Sequence, residues 1–167
     1  VTSSTISGNS ASGSIVFGGG IFNSNAGTAN VSSSTISGNS ANTNGGGIYI
    51  NGVGTVNVKN SIVAGNAAGT GPDAFGAFTS QGFNLIGKSN GSTGFNATGD
   101  LTGTIAAPLD PRLGPLADNG GPTQTHGLRG DSPAIDAGTS TGIPATDGRG
   151  LGRVIDGNGD NTNVPDI

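Results

Sequence analysis

His126 is the only histidine in the chain, and four charged residues lie close to it in sequence: Asp118, Arg129, Asp131 and Asp136. A histidine beside carboxylates can act as a general base held in one orientation by an acid. The setting argues otherwise, because no strand-turn-helix serine motif is present and the Gly-Gly-Pro and Ser-Pro pairs nearby are turn signals. The competing expectation is structural, with His126, Arg129 and Asp136 in a hydrogen-bonded network that ties down the end of the fold. A second group is Asp156-Gly157-Asn158-Gly159-Asp160, which sets Asp156, Asn158 and Asp160 at alternate positions. Calcium loops begin in this way, since a hard cation needs several oxygens within one tight turn. The match is partial. Asn161 stands where such loops prefer Gly, and Ile167 stands where a bidentate Glu belongs, so calcium is weighed against a plain Asx-rich turn. Asn30, Asn90 and Asn96 sit in Asn-x-Ser/Thr sequons, a pattern that arises often by chance in a chain rich in Asn, Ser and Thr.

What must position these residues is an unusual chain. Of 167 residues, 34 are Gly and 8 are Pro, while charged residues make up 10%. Low apolar content with high charge marks disorder, and this chain has little of either. It has no Cys, so disulfides and thiolate metal sites are excluded, and its ten acids are all Asp. No apolar run approaches the length of a membrane helix. No signal segment opens the chain. A net charge of -4 argues against a nucleic-acid partner.

Repetition decides between disorder and a fold. VTSSTISGN at 1–9 returns as VSSSTISGN at 31–39 and VKNSIVAGN at 58–66. Gly18-Gly19-Gly20-Ile21-Phe22 returns as Gly45-Gly46-Gly47-Ile48-Tyr49, and each block starts 13 residues before the next repeat. The difference between the 30- and 27-residue periods therefore falls between Asn9 and Gly18, as a loop inserted at one corner. Within each repeat polar and apolar residues alternate, as in Thr55-Val56-Asn57-Val58. Short alternating runs broken by Gly and Asn are strands with turns. The predicted fold is all-β, a right-handed parallel β-helix of about three to four coils stacked at the ~4.8 Å strand spacing, ending in an irregular, turn-rich cap. Core ladders are expected from Val1, Val31 and Val58, from Ile6, Ile36 and Val63, and from Ile21 and Ile48. Ser33 is expected to point outward. An Asn ladder, Asn9, Asn39 and Asn66, is expected at a bend. The coils occupy 1–87, a surface loop 88–100, and a last coil with the cap 101–167. Residues 1–99 carry Lys59, Lys88 and Asp73; the remainder carries four Arg and nine Asp.

Residues 109–138, LDPRLGPLADNGGPTQTHGLRGDSPAIDAG, together with GFNLIG at 82–87 and the STISGN repeats, resemble the choice-of-anchor Q domain family. The resemblance spans nearly the whole chain. It implies a bacterial surface or secreted protein with a right-handed β-helix of the pectate-lyase-like superfamily, and no established catalytic activity. Relatives usually continue past the final Asp-Ile, which suggests a truncated C-terminus without its anchor.

Polysaccharide lyases and hydrolases share that architecture, but three ionisable side chains in the first 99 residues cannot assemble a lyase or hydrolase cluster. The expected function is therefore a non-catalytic extracellular structural solenoid, a surface-layer, adhesin or filament subunit. The alternative is a glycan-binding or polysaccharide-cleaving module, for which Phe22 and Tyr49 would form an outward aromatic stripe. Expected partners are the chain itself, stacked end to end on the edge that begins at Val1, or upstream β-helix coils covering that edge, together with surface glycans; no cofactor beyond calcium is expected.

Overall fold

In the computed structural model, residues 1–153, 159 and 163–167 are described. Among these there is no helix, and the strands are short and mostly parallel. The first coil runs through β1 (Thr5–Ser7), β2 (Ser10–Ala11) and β3 (Ile21–Asn23), and β4 (Thr28–Ser32) leads into the second. The second contains β5 (Thr35–Ser37), β6 (Ser40–Ala41), β7 (Ile48–Ile50) and β8 (Thr55–Lys59). The third contains β9 (Ile62–Ala64), β10 (Ala74–Ala77) and β11 (Thr79–Ser80). Next come β12 (Leu85–Ile86), β13 (Ser92–Thr93) and β14 (Leu101–Thr102), then a hairpin of β15 (Leu113–Ala117) and β16 (Thr125–Leu128).

The strands stack as a β-solenoid of about three full turns. One face is the sheet β1-β5-β9-β12-β14, a second is β3-β7-β10-β13, and a third is β4-β8-β11. Registers Ile6↔Ile36, Ile36↔Val63, Ile86↔Val63 and Ile86↔Thr102 set the repeat at 30, then 27, 23 and 16 residues, so the coil tapers toward its C-terminal end. The stretch 88–100, expected to be a surface loop, includes β13, which pairs with β10 (Gly76↔Ser92), and Phe95, whose ring lies 4.8 Å from that of Phe78.

The inward residues form the core: Val31, Ile36, Ile48, Val58 and Val63 are all at most 2% exposed. Ile6 and Ile21 are only partly buried, and Val1 is 50% exposed. Those three occupy the first rung, where a side chain has a neighbour on one side only. Ser33 corrects the expectation: it is buried, at a corner with φ +48°, where the left-handed turn breaks the in-out alternation carried by the strands. The triple-glycine blocks have a steric cause. A Cβ on Gly46 would overlap the Ala67 carbonyl of the next coil, and one on Gly47 would overlap that of Asp73.

Two polar columns run along the bends. In the first, Asn9 Nδ2 donates to Asn39 Oδ1 (2.9 Å), Asn39 Nδ2 to Asn66 Oδ1 (3.0 Å), and Asn66 Nδ2 to Asp73 Oδ1 (2.9 Å). In the second, the backbone N–H of Ser4 donates to Ser34 Oγ, that of Ser34 to Ser61 Oγ, that of Ser61 to Asn84 Oδ1, and that of Asn84 to Asp100 Oδ1. Each member of a column accepts from the one before it, from coil to coil except for the last link of the first column, where Asn66 and Asp73 share the third coil. Both columns end on an aspartate, an acceptor that needs no further rung to satisfy its own donors.

Candidate functional site

The face carrying β1, β5, β9 and β12 changes character along the stack. The outward positions Thr5, Thr35, Ile62 and Leu85 are in register, as are Ser7, Ser37 and Ala64. Hydroxyls therefore line the first two coils and apolar groups the later ones. The chain after Leu109 returns along this face. Its Ala134, Leu113, Leu128 and Ile167 pack on Ile62, Ala64 and Leu85, which explains why Ile62-Val63-Ala64 is buried without alternation.

Polar anchors fix the return segment at both ends. On the third coil, Asn60 Oδ1 accepts the Thr139 N–H (2.8 Å) and Asn60 Nδ2 donates to the Asp166 carbonyl (3.0 Å). On the first coil, His126 Nε2 lies 2.8 Å from Ser7 Oγ, and His126 Nδ1 lies 2.8 Å from the Gly114 carbonyl. A carbonyl only accepts, so Nδ1 carries a proton, and in the neutral imidazole Nε2 accepts from Ser7. Arg153 Nη2 donates to Ser3 Oγ (2.9 Å) and its Nε to the Thr146 carbonyl (3.1 Å).

Between these anchors the return segment bridges a cleft of about 470 Å³. Its floor is Thr5 and Thr35, its wall Ile62, Leu128 and Ile135, and its rim Arg153. Burial works against the charge of Arg153 and lowers its pKa, with the Arg149 cation adding to the effect and Asp147 opposing it. Arg149 is occupied elsewhere: its Nε and Nη2 hold Asp147 Oδ2 at 2.7 and 2.6 Å. Burial alone would raise the Asp147 pKa. The hydrogen bonds from Arg149 and the Leu151 N–H outweigh it and hold the carboxyl below its ordinary value. Asp166, also on the cleft, is shifted upward, first by burial and then by the nearby Asp136 carboxylate, against one hydrogen bond from the Asp136 N–H.

The ring of His126 is not joined to Arg129 or Asp136: its nitrogens lie against Ser7 and Gly114. His126 reaches across to Ser7, 119 residues earlier, because the hairpin lies on the first coil. Asp131 pairs with Arg112 on the surface, and the Asp136 N–H donates to Asp166 Oδ1 (2.9 Å). Asp156, Asn158 and Asp160, the calcium candidates, lie outside the described residues. Among the described residues no three His, Asp or other ligating side chains are grouped to hold a metal. Phe22 and Tyr49 are in register as expected and stack at 5.5 Å, in a column that includes Phe17 and Phe75. Tyr49 has rings on both faces and is 8% exposed, whereas Phe22 is 48% exposed. Comparison with protein-family models, with curated proteins and with solved structures finds no match to this chain.

Sequence reasoning missed Ser3, Ser7, Asn60 and Arg153. One signal was available for Asn60: it replaces the Ser of the two earlier repeats, Ser3 and Ser33, and that longer side chain is what reaches the return segment.

Proposed function

We propose that this chain is a non-catalytic structural β-solenoid of a cell-surface or secreted protein, a stiff segment built by stacking rungs. The observation that carries the reading is the pair of polar columns. They satisfy each coil by the next, so that stability accrues with every rung added and no ligand is needed to complete the stack. The resemblance to the choice-of-anchor Q domain family supports placing it on a bacterial surface. The single histidine has both ring nitrogens engaged in holding the fold together, which favours a structural over a catalytic role.

The columns have a direction, and it bears on the partner. At the β1 edge, Asn9 Oδ1 has no donor among the described residues, and Phe22 and Val1 end their columns exposed. Such an edge fits a parallel rung that brings N–H and amide donors, as another coil of the same repeat does. A second copy docked head to tail could not extend the Asn column at this edge, because Asp73, which ends it, is fully buried under the later strands. Upstream coils are therefore the favoured partner, and end-to-end filaments the weaker one. Fusing an additional copy of residues 31–57 ahead of Val1 tests the reading. The fusion is expected to raise the melting temperature by several degrees and to protect the β1 amides from exchange; an unchanged melting temperature with β1 still exchanging freely would refute it.

A further inference from the structure

We propose that the cleft under the return segment binds a small polyhydroxylated anion, a hydroxy acid or an acidic monosaccharide, with Arg153 reading the carboxylate and the Thr5 and Thr35 hydroxyls reading the polyol. The inference goes beyond the structural role and does not depend on it.

Three features point the same way. The first is the cation. Arg153 spends Nε and Nη2 on Thr146 and Ser3, which locks the guanidinium in place and leaves Nη1 without a partner among the described residues. No carboxylate lies within ion-pair distance of it among the described residues, although the neighbouring Arg149 is paired with Asp147. A held guanidinium with a free N–H edge suits a carboxylate, which accepts from it with charge assistance. The second is the floor. The Thr5 and Thr35 side-chain hydroxyls have no hydrogen-bond partner among the described residues, and their strands pair in register, so the two stand one rung apart, about 4.8 Å. The same column becomes Ile62 on the third coil. A row of unspent hydroxyls running into an apolar wall matches a sugar-like molecule, which offers hydroxyls on its edge and C–H groups on its face. The third is size. About 470 Å³ lies within the range of small-molecule sites, and the opening is roofed by a segment anchored at both ends, so the shape is preformed.

Isothermal titration of the intact chain with sodium gluconate tests this, with sorbitol and inorganic phosphate as the two partial probes. Gluconate is expected to bind saturably, and sorbitol and phosphate each at least about tenfold more weakly. Arg153→Ala is expected to weaken gluconate about tenfold or more. Because that change also removes an anchor, Thr35→Val serves as the second variant. It touches no anchor and is expected to weaken gluconate several-fold while leaving the melting temperature within a degree. Absence of saturable gluconate binding at millimolar concentration overturns the proposal. Phosphate binding as tightly as gluconate, or Thr35→Val leaving affinity unchanged, overturns it equally, since the site would then read charge alone.

Discussion

Asp73 Oδ1 accepts both the backbone N–H and the side-chain amide of Asn66, at 2.8 and 2.9 Å, and so ends the amide column that begins at Asn9. It stands where the preceding coils carry Gly20 and Gly47, and it is fully buried with Oδ2 unpartnered. Burial pushes its pKa above the ordinary 3.8, against the hydrogen bonds from Asn66 and the charge of Lys88. The native state therefore holds this proton more tightly than the unfolded chain. Its contribution to stability is complete below pH 3.8 and is lost as pH rises through the raised native value. Asp73→Asn keeps an acceptor for Asn66 and removes the charge. The variant is expected to match the wild type in acid and to be the more stable of the two at neutral pH. Urea midpoints measured from pH 3 to 7 check this, and a pH-independent gap would exclude it.

Within the column, position decides cost. Asn39 is 1% exposed and takes part in hydrogen bonds on both sides, while Asn9 is exposed at the first rung. Asn39→Ala leaves the Asn9 N–H and amide, the Ile6 carbonyl and a lone pair of buried Asn66 Oδ1 unmatched, and is expected to cost about 2–3 kcal/mol, against roughly 0.5 kcal/mol for Asn9→Ala. Equal losses in chemical denaturation would mean that the column does not carry stability.

Core rungs and glycine rungs fail differently. Ile36, fully buried between Ile6 and Val63, is expected to lose about 2–5 kcal/mol on truncation to Ala. Gly46→Ala adds one methyl group, yet it cannot be placed without parting the second and third coils at Ala67. It is expected to prevent folding at 37 °C. Gly52→Ala, at φ +69° in open space, carries only the left-handed strain, about 1 kcal/mol. Circular dichroism melts of the three rank them.

The return segment should open without the solenoid. Asn60→Ala and His126→Ala each remove an anchor and are expected to speed amide exchange at residues 113–139 several-fold. Protection of β5, β7 and β8 stays intact, because their rungs pair with each other. Loss of protection in β8 together with the hairpin would show one cooperative unit instead.

The repeat alone specified the stack. Ile36 and Val63 are held at one position of a recurring phrase, and in a solenoid equal positions must sit on one another at the strand spacing, so the ladders of Val31 and Val58, Ile21 and Ile48, and Phe22 and Tyr49 followed from counting. The Asn column was legible for the same reason. Ser33 was not, because a corner in the left-handed region resets the alternation, and nothing local to Val31-Ser32-Ser33 marks it. The path of residues 109–153 was beyond the sequence altogether. His126 meets Ser7, and Arg153 meets Ser3, across more than a hundred residues without any repeat to index them. What directs that path is a surface that exists only after folding. Ile62 and Ala64 come from one coil and Leu85 from the next, and they become one apolar patch when β9 and β12 pair, and the cleft is what remains where the same face is lined by Thr5 and Thr35 instead.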